Sequence, residues 1–250
     1  MDPRVERVVL THLKNSWGNA SSVHEVGRQA RDVIDDSRKR TAKVLGARPE
    51  EIVFTGSGTE SDNLAIFGIA RAYKKYGKHI VTTRIEHPAV LETCEFLKTQ
   101  GFTITYLNVD KFGFVNPKDV EKAINGKTIL VSIIYANNEI GTIEPIKEIG
   151  KITQARKIYF HTDACQAAGF LDLNVKNLGV DLLTLNGGKI YGPKGIGVLY
   201  IKEGTKITSL IHGGGQEFGM RAGTENVPSV IGFANALEFV QKNRKRERKR

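Results

Sequence analysis

Short apolar segments alternate with longer amphipathic ones along almost the whole chain, and nothing else in the sequence constrains the fold as strongly. Strands are predicted near 52–55, 79–83, 103–107, 128–134, 158–163, 181–185 and 196–201. Helices are predicted near 24–45, 60–76, 88–100, 117–125, 145–156 and 228–248. Short strands that are apolar on both faces, joined by crossover helices, predict an α/β fold with a mainly parallel sheet flanked by helices. The link from 185 to 196 contains no helix, so the strands it joins are the natural antiparallel pair. The helix from about Pro228 carries Val230, Ile231, Phe233, Ala234, Leu237 and Val240 on one apolar stripe.

With 250 residues, 40% of them hydrophobic, and 26 glycines, the chain can bury a sizeable core as one domain, residues 1–250. Two cysteines, Cys94 and Cys165, argue against a disulfide framework and fit a reducing compartment. Cys94 sits at helical spacing from Val90, Leu91 and Leu97 and reads as core. No apolar run reaches membrane length and no charged-then-apolar leader opens the chain, so a soluble cytoplasmic protein is expected. The net charge is +10, of which the six basic residues and one acid of 244–250 supply +5. That tail reads better as the solvated end of a long helix than as a nucleic-acid contact. The histidines and cysteines lack the paired spacings of metal sites, and no metal is expected.

Four segments carry candidate chemistry. Lys189 follows two glycines at a strand end, where its amine can reach a carbonyl carbon with little obstruction, as a Schiff-base lysine must. In 51–64 an apolar strand runs through Gly56, Ser57, Gly58 and Thr59 into a helix, and the free N–H groups of such a helix start suit a phosphate. Taken alone, that segment reads better as an ordinary Ser/Thr-capped turn. Asp163 ends an apolar strand, where ligands gather in parallel α/β sheets. It could pair with a pyridinium nitrogen, or simply cap the next helix. His87 precedes Pro88, a good first helical residue, and an imidazole there could stack on a ring and relay protons.

Six motifs occur in order: Thr-Gly-Ser-Gly-Thr-Glu-Ser (55–61), Glu-His-Pro-Ala-Val-Leu (86–91), Ala-Asn-Asn-Glu-Ile-Gly (136–141), His-Thr-Asp-Ala (161–164), Gly-Lys-Ile-Tyr-Gly-Pro-Lys-Gly (188–195) and His-Gly-Gly-Gly-Gln (212–216). This order closely resembles the cysteine desulfurases of the NifS/IscS type, class V members of the fold-type I enzymes that use pyridoxal 5'-phosphate (PLP). The resemblance implies a seven-stranded sheet with one antiparallel strand, L-cysteine as substrate, alanine and an enzyme persulfide as products, and a homodimer serving an iron–sulfur scaffold or another sulfur acceptor. It implies that Lys189 holds PLP covalently, that Asp163 faces the pyridine nitrogen, and that Gln166 lies near the phenolic oxygen. His87 matches the ring-stacking histidine and Asn138 a cofactor-contacting asparagine. Gly58 and Thr59 match the phosphate cup, and Thr224 a threonine that reaches the phosphate of the partner subunit.

Three departures stand out. The family's Ser-Gly-His-Lys or Ser-Ala-His-Lys is here Asn186-Gly187-Gly188-Lys189, and Phe218 stands where Gln-Glu-Arg-Gly is usual. Loss of a hydroxyl and an imidazole to the phosphate costs about 1.5–3 kcal/mol each if charge-assisted. PLP then binds more weakly, unless Asn186 and other donors compensate. The chain is also expected to be truncated at both ends: Met1 stands where the family has a valine before Asp-Pro-Arg, and the small C-terminal domain with its persulfide cysteine is missing. Neither Cys94 nor Cys165 lies in a loop resembling the nucleophile loop. Another class V PLP-dependent lyase or aminotransferase, or a non-catalytic PLP-binding fragment, remains the alternative.

Overall fold

The computed structural model describes residues 1–248. Lys249 and Arg250, the last two residues of the basic tail, lie outside them. Helices α1 (Pro3–Asn15) and α2 (Glu25–Leu45) precede the first strand, β1 (Ile52–Thr55). They are followed by α3 (Gly58–Tyr73), β2 (His79–Thr83), α4 (Pro88–Thr99), β3 (Thr103–Leu107) and α5 (Pro117–Ala123). The chain continues through β4 (Thr128–Ser132), α6 (Ile146–Arg156), β5 (Tyr159–Asp163) and a single turn, α7 (Val175–Leu178). It ends with β6 (Leu182–Asn186), β7 (Gly197–Ile201) and α8 (Val227–Glu247).

All the predicted strands and helices are present, with ends shifted by no more than three residues. Helices α1 and α7 were not predicted. The start of α1 has ordinary signals: Asp2 accepts from the Arg4 N–H at 2.9 Å, and Pro3 takes the first position. Its apolar residues, however, do not all share a buried face. Val5 and Val9 are buried while Leu10 and Leu13 are 48% and 61% exposed, which blurs the helical period.

The seven strands form one sheet in the order β1-β7-β6-β5-β4-β2-β3. Strand β7 is antiparallel to both β1 and β6, and all other pairs are parallel. The helix-free link therefore does join an antiparallel pair. Side chains alternate between two apolar layers. Val53, Ile80, Leu182 and Leu199 pack with Leu64, Ile66 and Val90 of α3 and α4. Phe54, Val81, Leu183 and Val198 pack with Ile34 of α2 and Phe233 and Leu237 of α8. Among the described residues, no helix is long and apolar enough to cross a membrane.

One buried ion pair closes the free edge of the sheet. Arg38 of α2 and Glu217 are 6% and 5% exposed and meet through two contacts of 2.7 Å. Glu217 also accepts from the Phe54 N–H of edge strand β1 at 2.8 Å. Glu217 and Phe218 adopt left-handed backbone, with φ of 47° and 59°, a strain held in place by this anchoring. The Arg38 guanidinium lies 4.9 Å from the centroids of both Phe54 and Phe218. The departure at Phe218 thus supplies one of two aromatic rings in contact with a buried arginine. Arg38→Ala would leave Glu217 buried and uncompensated, and should cost about 3–5 kcal/mol. Urea unfolding of the variant against the parent measures this, and a loss below about 1 kcal/mol would show that the pair behaves like a surface contact.

Candidate active site

The reversal of β7 leaves β1 running in the same direction as β6, β5, β4 and β2. The C-terminal ends of these strands therefore meet at one edge of the sheet. From β1 the chain turns at Gly56 and Ser57 into α3. The Ser57 hydroxyl caps the Glu60 N–H at 3.0 Å, and the first intrahelical bond is Ser61 N–H to the Ser57 carbonyl. The Gly58 and Thr59 N–H groups precede that bond and remain available to an anion. From β2 the chain delivers Glu86 and His87, from β4 Ile134 and Asn138, from β5 Asp163, and from β6 Asn186 and Lys189.

These ends enclose a cavity of about 290 Å³ lined by Gly58, Thr59, Asp62, His87, Asn138, Asp163, Cys165, Gln166, Asn186 and Lys189, with Ile134. Asn186 orients itself through its own turn. Its Oδ1 accepts the Gly188 N–H at 3.0 Å, so its amide nitrogen is free to donate elsewhere. That nitrogen faces Gly58: a Cβ built on Gly58 would lie 3.3 Å from Asn186 Nδ2 and only 2.8 Å from Cys165 Sγ. Glycine is thus required at 58 for steric reasons. The same test at Gly187 meets Ile196 Cγ2 and the Pro193 carbonyl oxygen, both at 2.6 Å, whereas at Gly188 the nearest atom is 3.5 Å away. Gly187 is therefore sterically fixed, and Gly188 is not.

Carboxyl groups crowd the floor of the cavity. Asp163, 5% exposed, accepts from the Cys165 N–H at 2.9 Å. Burial raises its pKa, opposed by that hydrogen bond, the Cys165 thiol and the nearby His87 and Lys189. Asp62, 1% exposed, is pushed well above the usual carboxylate range by burial and then by Asp163. Burial also lifts Glu86 to about 8, although it accepts from the Thr83 hydroxyl at 2.6 Å and the Ile134 N–H at 3.0 Å. His161, fully buried beneath, is pushed down to about 3 by burial and is therefore neutral. One ligand atom from each of Asp62, His87 and Asp163 lies within 4.8 Å of the other two. The sequence did not signal this proximity, because the three residues come from separate segments.

The cavity gathers every predicted site residue except Gly188, which adjoins it, and Thr224. Thr224 lines a separate concavity with Gly56, Glu217 and Arg221. His87 also caps α4, its Nδ1 accepting the Ala89 N–H at 3.1 Å. Asp62 and Glu86 were not singled out from the sequence. A signal for Asp62 existed, since Gly58 and Asp62 stand four apart on α3 and so share a helix face.

The protein-family model described as aminotransferase class-V matches residues 1–250. The chain belongs to the aminotransferase class-V family. It is similar to the cysteine desulfurase IscS of Dictyoglomus turgidum, at 56% identity over 227 residues, covering 91% of this chain and 58% of that protein. Among solved structures, a NifS-like protein superposes with a TM-score of 0.96 at 40% identity, covering 98% of this chain and 68% of that one. The structure of SspA in complex with cysteine gives 0.92 at 41% identity, covering 95% and 69%. The chain thus spans less than two thirds of the length of the curated relatives it matches.

Both cysteines of this chain are disfavoured as thiolates. Cys94 lies fully buried in α4, and burial pushes its thiol up to about 12. Cys165 borders the cavity but is raised well above the usual thiol range, by burial first and then by the Asp163 carboxylate. Since the thiolate is the reactive form, neither thiol should be alkylated by iodoacetamide at pH 8 in the folded protein, and both should be alkylated in urea. Peptide mass mapping reads this directly; rapid native modification of Cys165 would contradict the electrostatics described above.

Proposed function

We propose that this chain carries the PLP-binding part of a cysteine desulfurase, which takes sulfur from L-cysteine, leaves alanine and passes the sulfur to a thiol as a persulfide. The observation that carries this reading is the meeting, in one cavity, of an exposed lysine amine, a buried carboxylate and the free first N–H groups of a helix. The residues present fit PLP. The cup at Gly58 is one that a single Cβ would fill, and its donors are the Gly58 and Thr59 N–H groups and the Asn186 amide. Bound there, the cofactor would supply an electron sink for charge developing at the substrate's α-carbon.

The chain's own residues have distinct tasks in this reading. Gly58, Thr59 and Asn186 bind the phosphate. Lys189 Nζ would hold the cofactor covalently and would move a proton at the substrate's α-carbon. Asp163 would face the pyridine nitrogen, His87 would stack on the ring, Gln166 would lie near the phenolic oxygen, and Asn138 would contact the cofactor. Thr224 lies on another concavity of the same chain, so its contact with a phosphate takes a second copy, which supports a homodimer. The relatives' name, cysteine desulfurase IscS, and the cysteine in the SspA complex support L-cysteine as substrate. We assign the sulfur to an iron–sulfur scaffold or another acceptor protein, in the cytoplasm. Because Cys94 and Cys165 are poor nucleophiles, the persulfide thiol is a residue other than these two. A class V lyase or aminotransferase without a thiol fits the same cavity; turnover of cysteine to alanine, against amino transfer to a keto acid, separates the two.

Borohydride reduction of the chain with PLP, followed by peptide mapping, should give a phosphopyridoxyl adduct confined to Lys189. A folded chain that yields no adduct would overturn the PLP reading. Because Gly188 has room for a side chain, Gly188→His should restore a phosphate donor and tighten PLP binding by about tenfold or more. Fluorescence titration of parent and variant with PLP measures the ratio.

A further inference from the structure

Asp62 is a buried acid that the proposed chemistry does not use. It sits on the first turns of α3, and α3 lies on the face of the sheet from which Ser132, His161, Asp163, Thr184 and Asn186 also project. Its Oδ1 is buried and accepts no hydrogen bond among the described residues. The imidazole Nε2 of His161 lies 3.5 Å from that oxygen. That imidazole is already engaged, by the Ser132 hydroxyl at Nδ1 (2.8 Å) and the Thr184 hydroxyl at Nε2 (3.1 Å). It is also neutral, so the 3.5 Å contact is not a salt bridge.

The groups facing Asp62 are Asp163 and His161 of β5, Glu86 and His87 after β2, and Cys165 beyond β5. Lys189 acts on both Asp163 and Cys165. Two carboxylates this close in a dry site do not both ionise. The partners decide between them. Asp163 has the Cys165 N–H and thiol, His87 and Lys189 to hold a negative charge. Asp62 has only the Thr184 hydroxyl, and an unpartnered oxygen.

We infer that Asp62 is a positioning residue: an uncharged carboxylic acid, packed beneath the cavity, that leaves the negative charge of the pair on Asp163. Ionised, Asp62 would bury an unpaired charge beside a second one. The consequence for the site is directional: the carboxylate at the end of β5 is the one held ready for a cationic ring nitrogen. Only this consequence rests on the PLP reading; the protonation of Asp62 does not.

The direct test is carbon NMR of the chain labelled at aspartate Cγ, titrated without PLP, with Asp62→Asn assigning the Asp62 resonance. Asp62 should remain protonated and Asp163 ionised at pH 7. An ionised Asp62 at that pH would overturn the inference, whether or not PLP binds. Linkage gives the same sign in stability. The folded state keeps a proton that the unfolded chain loses near pH 4. The stability of the parent relative to Asp62→Asn should therefore decline as pH rises from about 4 through the raised pKa of Asp62. The role of Asp62 toward the cofactor is read separately, by PLP titration at pH 7. Asp62→Ala should weaken binding about tenfold, and Asp62→Asn, which keeps a neutral hydrogen-bonding group, should rescue most of that loss. An Asn variant as weak as Ala, or an Ala variant as tight as the parent, would overturn the positioning role. Failure of the parent itself to form a Lys189 adduct would instead sink the PLP reading and leave the NMR result standing.

Discussion

Because β7 runs against both of its neighbours, β1 keeps the direction of the parallel strands although it lies at the edge of the sheet. The rest of the site depends on that reversal. If β7 were parallel to β6 and still antiparallel to β1, β1 would end at the opposite edge and take the start of α3 with it. The Gly58 and Thr59 N–H groups would then point away from Lys189. The edge position leaves β1 with unpaired backbone groups on its outer side. Glu217, clamped by Arg38 and carried on left-handed backbone, satisfies the Phe54 N–H there. The same segment continues to Arg221, whose Nε meets Glu60 at 2.9 Å, while Glu60 also accepts from the Gly56 N–H. The edge clamp and the turn before α3 are thus tied by consecutive contacts.

At the converging strand ends the dominant energy is the cost of burying acid. Asp62, Glu86 and Asp163 are each at most 5% exposed, and few cationic groups stand near them. Three buried negative charges would repel one another and lack solvation. Protonation is the available relief, and it falls on the groups with the poorest partners. Asp62 and Glu86 each have a buried oxygen without a hydrogen-bond partner, whereas Asp163 borders the cavity and faces Lys189. The site thereby keeps one carboxylate where a cationic ligand atom can meet it. This is the pattern by which a site sets several titratable groups to different tasks.

Much of this was legible in the sequence. Alternation of strand and helix specified the sheet, and the short 185–196 link located its antiparallel pair. Glycines 56 and 58, with Ser57, marked the turn into α3, and Asp163 and Lys189 followed from their places at strand ends. What the sequence left unread was mostly long-range. The link between Arg38 and Glu217 joins residues far apart in the chain, and no local pattern announces it. Phe218 made no sense beside its neighbours until the Arg38 guanidinium was found against its ring. Glu86 reads as a turn residue before His87, and only the packing of β4 shows that it is buried. Asp62 is different: its spacing from Gly58 carried the information, but an acid in the first turn of a helix is ordinarily explained by the helix dipole. The short helix α7 and the split apolar pattern of α1 lacked a clear period to detect.

The proposed sulfur chemistry and the proposed cofactor chemistry make opposite demands on their surroundings. A lysine, a carboxylate and a bound phosphate act through fixed geometry and gain from partial burial, because dipoles are stronger where water is excluded. A thiol that must attack a substrate sulfur needs thiolate character and access to solvent or substrate. In this chain the surroundings that favour the first suppress the second. Cys165 lies at the cavity, yet the Asp163 carboxylate beside it and its burial both favour the thiol over the thiolate. Moving it closer to Asp163 would make it less reactive. Cys165 instead fills the space behind Gly58, with its Sγ 2.8 Å from where a Cβ would stand. It therefore helps to shape the turn into α3 as a packing atom. On these grounds neither Cys94 nor Cys165 is suited to attack a substrate sulfur.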